Sequence, residues 1–271
     1  MTLDHIAAFA FEIPIVLQYR TYLRTIGRLA APLFLFVLVQ SIRHTRSKPK
    51  FLLRLYLAGM CTELFVTVMN LCLGEAFTYF TPSNIIFTFF YTALYAVLLE
   101  RLTIAWEDKD VFALSVTIGA FAASLVPTIL SDTFYRAILP SNASLRIRFL
   151  LSGLQSSIFP NFNSISYGIG FVILGVTMYF AREKIMQCLV FALFCAICYI
   201  GALVTPKTIY TISSFHFFQT FFDTSQCWMV FALPIMFLYN GKPGKQCKKF
   251  FYIYYPLHRE LIYIIAHLVE P

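Results

Sequence analysis

Apolar runs about one bilayer thick recur from end to end of this chain, and no other feature restricts its fold as much. A membrane-crossing helix needs about 20 predominantly apolar residues. Runs of that kind are read at 1–18, 26–42, 51–73, 85–102, 111–130, 165–181, 185–204, 218–239 and 250–268. A soluble domain could not bury such a surface: 59% of the 271 residues are hydrophobic and 13% are charged, with a mean hydropathy of +0.73. In hydrocarbon every backbone polar group must be satisfied within its own segment, so spans of this length are helices. The expected fold is all-α, a polytopic transmembrane bundle of about nine membrane helices. It forms one integral domain over residues 1–271, because no linker is long enough to separate a second. Its first partner is the lipid bilayer.

The net charge of +8 falls mainly between the runs. There it reports orientation and not nucleic-acid binding. One set of loops holds Arg43, Arg46, Lys48, Lys50, Arg54, Arg101, Lys109, Arg182, Lys184, Lys242, Lys245, Lys248 and Lys249. The other holds Arg20, Arg24, Arg136, Arg146, Arg148 and Lys207. The richer set is expected to be cytoplasmic. No basic stretch precedes an apolar one at the start, so no cleavable signal peptide is read there. Cys195 and Cys198 form a C-x-x-C inside an apolar run, where two small packing residues one turn apart suit the pattern better than a redox or zinc site. The long connection at 131–164 contains Leu145–Ile158, which reads as a short amphipathic helix lying on the surface, plugging the bundle or packing as a connector.

Four ionisable residues stand where apolar neighbours make them costly. Asp4 and His5 adjoin. A carboxylate can orient an imidazole that takes a proton, but neighbours on a helix do not face each other, so Asp4 would serve a third group such as an arginine. Arg28 enters an apolar run four residues before Pro32. It requires a carboxylate or an anionic ligand, or it snorkels to the surface. His258 lies about 12 Å into the last run, at 1.5 Å per residue, and is followed by Arg259 and Glu260. It is either a chemical group or a packed histidine beside an ion pair. The cationic stretches 43–54 and 240–249 could hold the phosphates of a cytoplasmic nucleotide cofactor, or could simply obey the positive-inside rule. The histidine spacing suggests no metal.

Seven short motifs occur in order. They are Asp4-His5-Ile6, Gly27-Arg28 with Pro32-Leu33-Phe34, His44-Thr45-Arg46 with Arg54-Leu55, Asn84-Ile85 with Phe87, Ser166-Tyr167-Gly168, Asn240-Gly241 with Gly244, and Phe251-Tyr252 with Tyr255-Pro256 and His258. Together they resemble the TraX family, membrane proteins associated with N-terminal acetylation of F-type conjugative pilin. That family in turn resembles the wider superfamily of membrane acyltransferases that includes the acyltransferase-three proteins. The resemblance implies an acyltransferase-three-like bundle in a bacterial inner membrane. It implies transfer of an acetyl group from acetyl-CoA, as cosubstrate and without a metal, to the amine of a pilin subunit. Another acceptor, such as a sugar or small amine, and a small-molecule transporter are the alternatives. Carried onto this sequence, His5, Asp4, Arg28 and His258 are the expected catalytic residues. His44, Arg46, Arg54, Asn240, Lys242 and Tyr255 are the expected contacts to acetyl-CoA. In family members the Asp-His pair sits deeper in the first helix. Here either the start is truncated or that helix is rebuilt from residues 6–17 around Pro14.

Overall fold

The structure is a computed structural model that describes residues 1–10, 12–73, 84–138, 144–204, 224–242 and 248–269. Among these residues the fold is helical, without strands. The helices are α1 (Thr2–Phe9), α2 (Pro14–Arg28), α3 (Ala30–His44), α4 (Lys48–Leu73), α5 (Ile85–Glu107), α6 (Val111–Ile138), α7 (Leu145–Ile158), α8 (Gly168–Phe180), α9 (Lys184–Val204), α10 (Leu233–Leu238) and α11 (Lys248–Val269). A 3₁₀ segment, Thr224–Ala232, leads into α10. Among the described residues five stretches are long and apolar enough to cross a membrane: Pro14–His44, Lys48–Cys72, Ile85–Glu107, Val111–Ser131 and Lys184–Gly201. Gly168–Phe180 and Trp228–Leu238 are apolar but shorter. Helix α11 is long enough, but its central polar residues lower its hydropathy.

The first two expected spans are divided differently. Residues 1–18 do not form one helix, and no helix is rebuilt around Pro14. Ile13 is extended (φ −72°, ψ 121°) and Pro14 opens α2, because the residue before a proline disfavours helical backbone while proline suits a first turn. Leu29 then keeps helical angles (φ −65°, ψ −28°), so α2 runs into α3 as one 31-residue stretch. Pro32 falls in the first turn of α3, where its missing N–H costs least.

The chain divides into two compact units, residues 1–37 with 181–271 and residues 38–180, and the boundary falls inside α3. In the first unit α1 lies against both α2 and α11, and α9 packs on the 3₁₀ segment and α10. Gly27 lets α1 and α2 touch: a Cβ there would sit 2.4 Å from the Cβ of Asp4. Lys184 donates to the carbonyls of Phe237 (2.7 Å) and Tyr239 (3.2 Å), satisfying acceptors that α10 leaves open at its end.

In the second unit α5 is central and packs against α4, α6 and α8. Its core is aromatic, with Phe87, Tyr91 and Tyr95 joined by Leu98, Ile165 and Val172. Buried hydroxyls are tied to acceptors: Tyr91 to the carbonyl of Pro160, Tyr95 to Ser124 Oγ (3.0 Å) and Thr88 to the carbonyl of Ser166 (2.8 Å). Helix α7 is a packed connector. Its Gly153 faces Thr67 of α4 so closely that a Cβ would lie 2.1 Å from Oγ1, and Tyr56 Oη donates to the carbonyl of Ile158 (2.7 Å). Cys195 and Cys198 are both buried within α9 and form no disulfide among the described residues.

Candidate active site

The four residues expected to be catalytic all belong to the first unit. Helix α1 is short, and α2 and α11 flank it. Asp4 and His5 project differently from it, as the helical angle demands. Asp4 receives Arg24 Nη1 at 3.3 Å. His5 turns to the last helix, where its ring centroid lies 5.2 Å from that of His258 at an interplanar angle of 56°. Phe9 stacks on the other side of His5 (5.6 Å, 7°) and meets Tyr263 edge-on (5.5 Å). The first and last helices of the chain therefore bring their histidines together.

His258 is 6% exposed. Its Nδ1 is 2.7 Å from the carbonyl oxygen of Tyr254, one turn back. A carbonyl only accepts, so Nδ1 carries the proton in this bond and the neutral ring keeps its lone pair on Nε2. Nε2 is buried and has no hydrogen-bond partner among the described residues. The Tyr254 ring lies flat on the imidazole (4.5 Å, 1°), and its hydroxyl is 2.6 Å from Thr2 Oγ1 of α1. Tyr254 thus fixes the ring plane, its carbonyl fixes the tautomer, and its hydroxyl ties both to the helix bearing His5. Beside them Arg259 Nε approaches Glu260 Oε1 at 3.8 Å, both side chains being buried. The ion pair expected next to His258 is present, whereas the histidine is satisfied on one nitrogen only.

Arg28 closes α2 and is half-buried. The carboxylate of Asp4 pairs with Arg24 instead of Arg28. One turn further back, Arg20 Nε donates to the carbonyl of Ala7 (3.2 Å), near the open end of α1. Arg20, Arg24 and Arg28 recur every fourth residue and so share one face of α2. That spacing is legible in the sequence, although charge alone places Arg20 and Arg24 in a loop. Tyr254 had no signal apart from being one turn before His258.

The expected acetyl-CoA contacts fall in both units. In the second, His44, Arg46 and Arg54 are exposed. His44 and Arg46 make no hydrogen bond or ion pair among the described residues, and the Arg54 guanidinium lies 5.8 Å from the Phe51 ring. Exposed guanidinium groups are the donors that phosphate oxygens take. Arg43 and Lys48 of the same basic stretch are already engaged. Arg43 Nη2 donates to the carbonyls of Met178 (3.2 Å) and Tyr179, and Lys48 Nζ pairs with Glu100. In the first unit Asn240 Oδ1 accepts from the backbone N–H of Lys242 (3.0 Å) across Gly241, whose φ of +73° suits glycine. Lys242 is exposed. Residues 243–247, with Gly244 and Lys245, lie outside the described residues. Tyr255 is buried, 6.1 Å ring to ring from His258. Among the described residues no group of three or more His, Cys, Asp or Glu side chains could hold a metal ion.

Fold and site define a multi-span helical membrane protein with a buried, paired-histidine centre. The sequence model of the family described as TraX protein matches residues 1–146 and 154–266, and the chain belongs to that family. No curated protein and no solved structure matches the chain.

Proposed function

We propose that the protein is a membrane-embedded acetyltransferase that moves an acetyl group from acetyl-CoA to an amine, the N-terminus of a pilin subunit in the first instance. Membership of the TraX family supports the pilin acceptor. The observation that carries the chemistry is the buried Nε2 of His258, without a hydrogen-bond partner among the described residues and 5.2 Å ring to ring from His5.

In this reading an imidazole takes the proton of the acceptor amine as its nitrogen attacks the thioester carbonyl. The carbon–sulfur bond then breaks, and the proton passes from imidazolium to the leaving thiolate. General-base help of this kind is worth about 10²–10⁴ in rate. Arg28 steadies the developing oxyanion, a task suited to a fixed cation in a dry site. Exposed His44, Arg46 and Arg54 supply donors for the CoA phosphates, and the enzyme works from the bacterial inner membrane.

The test is acetyl transfer by protein purified in detergent, from isotopically labelled acetyl-CoA to a peptide with a free N-terminal amine. Label on the peptide amine is expected. Label found only on a sugar or small amine offered in parallel would replace the acceptor. No transfer and no CoA binding by folded protein would overturn the reading.

A further inference from the structure

The connection between α3 and α4 is three residues, 45–47, and both of its ends are fastened to one tyrosine. On the α3 side, Arg43 reaches the carbonyls of Met178 and Tyr179 at the end of α8, and its guanidinium lies 5.7 Å from the Tyr179 ring centroid. These carbonyls are the acceptors a helix end leaves open, and a cation there also suits the negative end of the helix dipole. On the α4 side, Lys48 pairs with Glu100 of α5. The hydroxyl of Tyr179 donates to the same carboxylate oxygen (2.9 Å), and Lys48 Nζ lies 3.4 Å from that hydroxyl. Glu100 and Tyr179 therefore sit between the last turn of α3 and the first residue of α4. Between those fixed points Arg46 is exposed and makes no hydrogen bond or ion pair among the described residues.

We infer that Glu100 and Tyr179 are positioning residues for the phosphate-binding Arg46: they clamp the two ends of the 45–47 connection and present its guanidinium in one place. This rests on the reading of Arg46 as a contact to the CoA phosphates. The physical reason is entropic. An arginine on a loose loop loses much of its freedom on binding an anion, whereas a loop already fixed at both ends has little left to lose. Two basic residues of the stretch are spent on the clamp so that a third can act.

The experiment measures CoA affinity by calorimetry on detergent-purified protein, with deuterium uptake of the peptide covering 45–47. Arg46→Ala should weaken CoA about 10-fold, the loss of one charge-assisted hydrogen bond. Glu100→Gln should weaken it about 3–10-fold, with faster uptake at 45–47 and an unchanged kcat at saturating acetyl-CoA. Tyr179→Phe keeps the ring beneath Arg43 and removes only the hydroxyl. It should act the same way more weakly, and it serves if Glu100→Gln does not fold. In an Arg46→Ala background neither change should weaken CoA further, because the clamp acts through Arg46. Full multiplication of the two effects would overturn the clamp. So would unchanged affinity in Glu100→Gln and Tyr179→Phe while Arg46→Ala still weakens CoA, and the phosphate reading would then stand without it. Unchanged affinity in Arg46→Ala would remove the phosphate reading, and the clamp with it.

Discussion

His258 and Asn84 are both buried polar side chains in apolar helices, 6% and 1% exposed, and they are treated in opposite ways. Asn84 spends everything it has. Its Oδ1 caps α5 by accepting from the N–H of Ile86 (3.0 Å), and its Nδ2 donates to the carbonyl of Gly59 (2.9 Å) and lies 3.4 Å from Glu63 Oε2. Its N–H donates to the carbonyl of Ser164 (3.0 Å). One residue thus joins α4, α5 and the segment before α8. His258 spends one nitrogen and keeps the other. An unpaired buried polar atom costs stability and survives where something else requires it. Under the proposed function, the comparison sets a polar residue kept for architecture against one kept for chemistry.

The sharpest break of that comparison is His258→Ala. If the free nitrogen is a base, the variant should lose about 10²–10⁴ in transfer rate while holding CoA as before, because a base acts in the transition state and not in ground-state binding. Its melting temperature should also fall, since a buried ring stacked on Tyr254 is removed along with its hydrogen bond, so turnover of the folded protein is the deciding readout. A variant with normal turnover but a lowered melting temperature would place His258 with Asn84, as architecture. His5→Ala, measured alongside, tells which of the two rings takes the proton.

Asn84→Ala is the mirror experiment. It strands the N–H of Ile86 and the carbonyl of Gly59 in the core of the second unit. Each orphan costs about 1–3 kcal/mol. The expected outcome is a clear fall in thermal stability in detergent, with the activity of the remaining folded protein unchanged. A selective loss of transfer at full stability would give Asn84 a part in the chemistry.

Next in size is Gly27→Ala. The added Cβ would meet the backbone of Asp4 at 2.8 Å as well as its Cβ, so α1 must move away from α2 and carry His5 with it. Overpacking of this kind costs about 1–3 kcal/mol. Transfer should fall together with stability. Full activity would show that the spacing between α1 and α2 does not set the position of His5.

What could be read beforehand follows the range of the interactions. The helical membrane architecture was legible because apolar length is a local property, and so was the four-residue spacing of Arg20, Arg24 and Arg28, whereas the break before Pro14 is hidden by an apolar run that continues across it. The candidacy of His5 and His258 was legible because each is a polar group in an apolar run. Their meeting was not, because Thr2 and Tyr254 are bonded across 252 residues and no periodicity reports such a contact. The same holds for Lys48 and Glu100, 52 residues apart, whose pairing ties one cation of the basic stretch 43–54 to α5. Asn84 stood out as an amide at a helix start, but its reach to Gly59 and Glu63 depends on how α4 lies on α5.

The smallest effect expected is that of Asp4→Asn, and it is the most specific. The pair with Arg24 is partly exposed, with 33% of the arginine and 14% of the aspartate side chain accessible, and a pair of that kind is worth about 0.2–1 kcal/mol. Asparagine keeps the shape and can still accept a hydrogen bond from Arg24, so the helix should stay folded and the melting temperature nearly constant. What changes is how firmly α1 is held one residue before His5. If that grip sets the ring, turnover should fall by about fivefold, the rate equivalent of about 1 kcal/mol. Arg24→Gln should give the same loss, and the double variant should give no more than either alone, since both remove one interaction. Losses that multiply would mean that Asp4 acts on the reacting groups directly, and α1 would then offer two chemical residues where the proposed function needs one.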